Sequence, residues 1–185
     1  NSYFAARVSG GLNVINQDDV QVSVGLSATQ WNYGKDLSHY TYGQGGYYSP
    51  QSYTSFGLPL EWTGRVGRWS YQLKGSVSYS WSRSDDSPFY PHDPALQALA
   101  VGSTLPSGYS SPVYGGGSSS GVGYALKGAF EYKINSDYFI GTNLNMDRSA
   151  YYAPNFFNVY FRRVFTPWTQ AVPYPPRPPK PYSQY

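Results

Sequence analysis

Two adjacent carboxylates, Asp18 and Asp19, fall in the short stretch NQDD (16–19), and a second pair, Asp85 and Asp86, sits at the edge of a Gly/Ser-rich stretch. Paired carboxylates can hydrolyse glycosidic bonds, but only when they face each other across a cleft at a set separation. Sequence neighbours in a turn are solvated side by side and do not reach that geometry. His39 and the His92–Asp93 pair carry metal-ligand chemistry, yet two histidines in separate Gly- and Tyr-rich segments match no recognised ligand spacing. Serine is abundant without a nucleophile elbow or an accompanying histidine pattern. Cysteine is absent, which removes disulfides and thiolate metal sites. The expectation is a protein that is not an enzyme, with no catalytic residue, no metal and no cofactor.

The polar chemistry that remains is dispersed and periodic. Arg7, Glu61, Lys74, Lys127, Glu131, Lys133, Asn143, Asn145, Asp147, Tyr160 and Arg162 each fall in a segment where apolar and polar residues alternate. In WSYQLKGSVSYSWS (69–82), one side carries Trp69, Tyr71, Leu73, Val77, Tyr79 and Trp81, and the other Ser70, Gln72, Lys74 and four further serines. Strict alternation marks a strand with one greasy and one wet face. The same period runs through 3–15, 20–33, 53–66, 122–134, 138–148 and 155–165. Seven half-apolar strands are expected, all antiparallel.

The elements that must hold these residues have two peculiarities. They are long: strands of soluble domains average about five or six residues, whereas these segments run 11–14. At ~3.3 Å per residue and a tilt near 40°, fourteen residues cover ~35 Å, enough for an outward apolar band of ~25 Å with both interfacial zones. Their connections also alternate. NQDD, GRVGR (64–68) and NSD (135–137) are short, whereas 34–52 and 84–121 are long and rich in Gly, Ser, Tyr and Pro. Short turns on one side and long loops on the other are the habit of transmembrane outer-membrane β-barrels. Trp62, Trp69 and Trp81 then form a membrane girdle at the headgroup levels, where amphipathic rings are favoured. No run of about 18 apolar residues suggests a membrane helix. The long loop 84–121 is expected to hold a turn or two of helix, since DPALQALA offers Asp93 as N-cap and Pro94 as first helical residue.

Aromatic residues make up 19 % of the chain and charged residues 12 %, about half the soluble norm. The net charge of +3 is scattered, and no nucleic-acid partner is expected. An odd number of strands cannot close a bacterial barrel, so the remaining strands are expected to precede Asn1. The last strand alternates Phe157, Val159 and Phe161, is broken by Arg163, and reaches Phe165.

The stretches NVINQDDVQVSVGLSATQWNYG (13–34), GGYYSPQSYTSFGLPLEW (45–62) and YYAPNFFNVYFRRVF (151–165) resemble the C-terminal domain family of cellulose synthase operon protein C. The resemblance extends over the whole chain. It implies a periplasmic tetratricopeptide-repeat region of the same polypeptide, an outer-membrane barrel of roughly sixteen strands, and export of a growing cellulose chain delivered by an inner-membrane synthase complex. On that reading residues 1–165 are the C-terminal part of the barrel and 166–185 a Pro-rich tail. The partners are the cellulose chain and outer-membrane lipid.

A conduit for a neutral β-glucan needs hydrogen-bonding groups and aromatic plates without a deep site that would stall transport. The polar positions named above would line the lumen, and opposite charges on neighbouring strands are expected to pair there. Tyr40, Tyr42, Tyr47, Tyr48 and Tyr53 are candidates for a gate loop or glycan platform; packing of these rings on one another is the plainer alternative. The tail, with Pro175, Pro176, Pro178, Pro179 and Pro181, favours an extended polyproline II path. It is expected to turn into the lumen from the periplasmic side and run along the wall, presenting Trp168, Tyr174, Arg177, Lys180 and Tyr182. A general diffusion porin and a soluble carbohydrate-binding module are the competing functions.

Overall fold

The computed structural model describes residues 1–148 and 155–179. Seven long or medium strands form one sheet: β1 (Tyr3–Gln17), β2 (Val20–Tyr33), β3 (Ser52–Val66), β4 (Trp69–Ser84), β7 (Gly117–Lys133), β8 (Tyr138–Asp147) and β9 (Phe156–Arg163). Their order is β1-β2-β3-β4-β7-β8-β9, so each strand pairs with its neighbour in the chain. A separate two-stranded sheet, β5 (Ser87–Pro88) with β6 (Val113–Tyr114), lies in the long connection after β4. That connection also carries the helix α1 (Pro94–Val101), capped by the Asp93 carboxylate, which accepts from the amides of Ala95 and Leu96 at 3.0 and 2.9 Å.

The tight hairpins have local causes. Gly67 adopts φ +57°, the left-handed region that a two-residue hairpin between Val66 and Trp69 demands of its first central residue. Between β7 and β8, the Asn135 side chain accepts from the amides of Asp137 and Tyr138 at 2.9 and 3.0 Å, an Asx turn that reverses the chain.

Burial sorts the strand residues unlike a soluble sheet. The apolar side of the alternation is exposed: Leu12, Leu26, Leu58, Val77 (54 % accessible), Val159 and Phe161 (62 %) all face outward. The few fully buried side chains belong to the other side or to the loops, including Phe139, Glu131 and Ser49. Below, the side bearing Ser, Lys and Glu is called the polar face.

Two compact units are distinguished by their contacts. The first comprises Asn1–Val8, Ala28–Phe56 and Tyr79–Gly121, and so holds both long loops; the second comprises Ser9–Ser27, Gly57–Ser78 and Val122–Tyr185, with the short turns and the tail. In the first, Leu37 and Phe89 form a small core, and the loops after β2 and β4 are clasped together. Ser87 donates to the carbonyl of Asp36 at 2.7 Å, and Gln44 donates to the carbonyl of Pro88 at 2.9 Å.

Three expectations need correction. Strand β7 begins at Gly117 rather than 122; its first residues, GSSSG, carry no apolar alternation. Strand β9 ends at Arg163, leaving Phe165 outside it and exposed. From Trp168 to Tyr174 the tail passes from one short turn to the next, where a path along the strands was expected. The connection around 150–154 and the tail residues Lys180 and Tyr182 lie outside the described residues.

Candidate functional site

On the polar face of the second unit a groove of about 490 Å³ has a floor of small residues, among them Ser9, Gly11, Ser23, Gly25 and Ser76, with Pro59. A side chain at Gly11 or Gly25 would meet backbone oxygen at 2.9 or 2.8 Å, so these positions are kept bare by the close approach of β1 and β2. Glu61, Lys74 and Lys127 edge the groove. Glu61 accepts from Gln72 at 2.7 Å and pairs with Lys74 at 3.1 Å. Both charges of that pair are solvated, which limits its worth to about 0–1 kcal/mol. Lys127 edges the same groove without an ion pair among the described residues. Arg7 on β1 is exposed and likewise forms no ion pair among them.

A second cluster is built into the sheet. Glu131 of β7 stands opposite Gly141 of β8, which stands opposite Tyr160 of β9. Because Gly141 has no side chain, the Tyr160 ring crosses over it, where a Cβ would lie 2.4 Å from the ring. The Tyr160 hydroxyl then donates to Glu131 at 3.0 Å. Arg162 completes the cluster with two bonds to the same carboxylate, 3.0 Å from Nε and 2.6 Å from Nη2, and stacks over Phe139 at 4.2 Å. Glu131 is 1 % accessible. The cluster therefore ties β7 to β9 across β8, and Glu131 is closed to solvent. Asn143 and Asn145 are also buried on this side of β8. Asp147 ends β8, where its amide donates to the Asn155 side chain at 3.0 Å.

The tail is fastened to the short-turn end. The Trp168 amide donates to the Ser136 carbonyl at 2.7 Å, and Lys133 donates to the Gln170 carbonyl at 3.0 Å. Arg65 donates to the Val172 carbonyl at 3.4 Å, pairs with Asp19 at 2.6 Å, and faces the Tyr174 ring at 5.4 Å. Tyr174 donates to the Asp18 carbonyl at 2.8 Å. Val172 is buried under this strap, whereas Arg177 is exposed. The Asp18–Asp19 turn is thus a landing point for the tail.

In the first unit the aromatic residues gather in stacks. Tyr3 stacks on Tyr33 at 5.3 Å, and Tyr33 meets Tyr47 at 5.9 Å. Trp31 stacks on Tyr53 at 4.7 Å, and Tyr53 meets Tyr48 edge-on at 6.3 Å. Period two puts Tyr3, Trp31, Tyr33 and Tyr53 on the polar face. Tyr40 (90 % accessible) and Tyr42 project from the loop. Of the five loop tyrosines, three therefore join stacks and two stand free. On the outward side, Trp81 packs with Phe56 and Tyr79 in the first unit, and in the second Trp62 packs with Tyr71 and Trp69 with Tyr132.

A family model described as the cellulose synthase operon protein C C-terminus matches residues 1–166. The chain belongs to this family. It is 39 % identical over 176 residues to cellulose synthase operon protein C of Salmonella typhimurium LT2, covering 93 % of this chain and 14 % of that protein. Against the protein of the same name from Escherichia coli K12 the identity is 38 % over the same coverage, and against that of Pseudomonas fluorescens SBW25 it is 32 % over 163 residues, 88 % of this chain and 12 % of the relative. The chain spans about one-seventh of the length of the first two relatives. The family match ends at residue 166, where the tail begins.

Sequence reading missed Trp31, Tyr33 and Tyr3 as members of the aromatic stacks and Arg65 as the residue that grips the tail. Parity was available for all four, since each lies an even number of residues from a polar-face position. What parity lacks is the partner: Trp31 gains meaning only beside Tyr53, and Arg65 only beside a tail whose path no local pattern sets.

Proposed function

We propose that this chain is the C-terminal part of an outer-membrane β-barrel that exports the nascent β-1,4-glucan chain in bacterial cellulose biosynthesis, and that it has no enzymatic activity of its own. The observation that carries this reading is the pairing of an exposed apolar face with a wet, small-floored polar face on strands of up to 17 residues. In water such an exposed apolar surface would drive aggregation; in a bilayer it is the lipid contact. Membership in the cellulose synthase operon protein C family names the polymer.

On this reading the polar face is the lumen wall and the short-turn end is periplasmic. The groove floor lets a sugar ring pass without snagging, while Ser, Lys127 and the Glu61–Lys74 pair offer hydrogen bonds to its hydroxyl edges. The stacks around Trp31 and Tyr33 supply ring faces for sugar C–H groups at the long-loop end. Each contact is weak and repeated, which suits a moving polymer. The upstream strands, the tetratricopeptide-repeat region and the inner-membrane synthase complex complete the machine.

Detergent dependence and conductance test the reading together. The full-length protein is expected to require detergent and to form channels in planar bilayers whose current is blocked by cellohexaose but not by maltohexaose. A monodisperse protein in plain buffer removes the barrel. Channels blocked by neither sugar, or by both alike, remove the glucan specificity and leave a diffusion porin.

A further inference from the structure

Arg163 is unexplained by a lipid-facing strand. It follows Phe157, Val159 and Phe161 on the outward side of β9, and its Cα partner is the outward Tyr138 of β8. Its guanidinium carbon lies 5.7 Å from the Tyr138 ring centre and 5.4 Å from that of Phe165. Tyr138 stacks in turn on Phe161 at 5.3 Å. The exposed guanidinium thus lies near two ring faces, and its five N–H donors meet no hydrogen-bond acceptor and no carboxylate among the described residues. Asp137, in the adjoining turn, does not pair with it. Another cation, Arg68, stands next to the outward Trp69 at the same turn-bearing end of the second unit, donating to the Ile134 carbonyl at 3.3 Å.

We propose that Arg163, flanked by Tyr138 and Phe165, binds the phosphate of an anionic phospholipid headgroup in the membrane leaflet on the short-turn side. This inference rests on the barrel reading above. Rings that approach a guanidinium over their faces leave its edge free for bidentate contact, the geometry in which Arg recognises phosphate. Aromatic residues and cations at a headgroup level anchor a membrane protein there, and each cation near an anionic surface adds to the attraction. An Arg on an apolar outward face with no protein acceptor is otherwise a desolvated charge. Phosphate supplies the charge and the acceptors together.

Native mass spectrometry of the full-length protein in detergent tests this, with phosphatidylglycerol and phosphatidylcholine titrated at equal concentration. The wild type is expected to retain phosphatidylglycerol over phosphatidylcholine by about five-fold or more. Arg163→Gln is expected to abolish that preference, Arg163→Lys to keep a part of it, and Arg83→Gln, at the long-loop end, to leave it unchanged. Heat-modifiable migration on gels reports separately whether each variant still forms a barrel. A wild type without any preference, or an Arg163→Gln barrel that retains it, overturns the headgroup site while leaving the barrel standing. A protein that needs no detergent overturns the barrel itself.

Discussion

Val77 stands exposed between Ser76 and Ser78, and the difference between these neighbours is which side of the strand they occupy. A charge on the outward side at mid-depth costs about 2–4 kcal/mol in a membrane barrel, and far less on the wet side. Val77→Arg in the full-length protein is therefore expected to lower the yield of heat-modifiable barrel sharply, whereas Ser76→Arg and Ser78→Arg assemble. Equal yields from all three would remove the facing assignment. The two polar-face carboxylates differ just as clearly. Glu131 is buried and holds the part-buried Arg162 and Tyr160, so Glu131→Ala, which leaves both without their partner, should cost about 2–3 kcal/mol. Glu61 is solvated, and Glu61→Ala should cost at most about 1 kcal/mol. Urea titration of refolding into lipid vesicles reads both. Trp31 is expected to act on transport rather than on assembly: Trp31→Ala should give normal barrel yield with lowered glucan secretion. Normal secretion from that variant would make the Trp31–Tyr53 stack purely a packing feature.

At the scale of elements, much of the fold was legible because strand length and period two are written locally. Asp93 and Pro94 likewise announced α1. The start of β7 was illegible for a physical reason: Gly117 to Gly121 have no side chains that prefer either face, and the backbone ladder with a neighbour decides them. The Glu131 cluster needed register, since nothing in the sequence says that Gly141 is the residue Tyr160 crosses. The direction of the tail was not legible. Proline restricts φ, but the path across the short turns is set by Lys133 and Arg65 donating to tail carbonyls and by Tyr174 donating to the Asp18 carbonyl. Since these contacts add to a sheet that pairs without them, truncation after Phe165 is expected to spare assembly and lower polymer secretion. Arg65→Ala should expose the attached tail to protease in the assembled protein. A tail equally resistant in that variant would show that Arg65 is not what holds it. The long loop between β2 and β3 is expected to act differently: replacing residues 35–50 with a short Gly-Ser linker should leave a barrel with higher single-channel conductance.

For the molecule as a whole, the two-faced sheet is the feature on which everything else depends. Its apolar side is exposed and its polar side carries a groove, a pairing that the proposed barrel, with lipid outside and water inside, would satisfy. The site residues named from sequence split accordingly: Lys74, Glu61 and Lys127 edge an open groove, whereas Glu131, Tyr160 and Arg162 hold the wall together. Alternation alone could not make that division, because burial depends on neighbours two strands away. The direct measurement is single-cysteine accessibility along β4 in the full-length protein in intact outer membranes. Single cysteines at each consecutive position from 70 to 81 would be labelled with a membrane-impermeant maleimide entering through the channel. The account predicts labelling at 72, 74, 76 and 78, and protection at 73, 75, 77 and 79. Uniform labelling, or protection that follows a helical rather than a two-residue period, would contradict it.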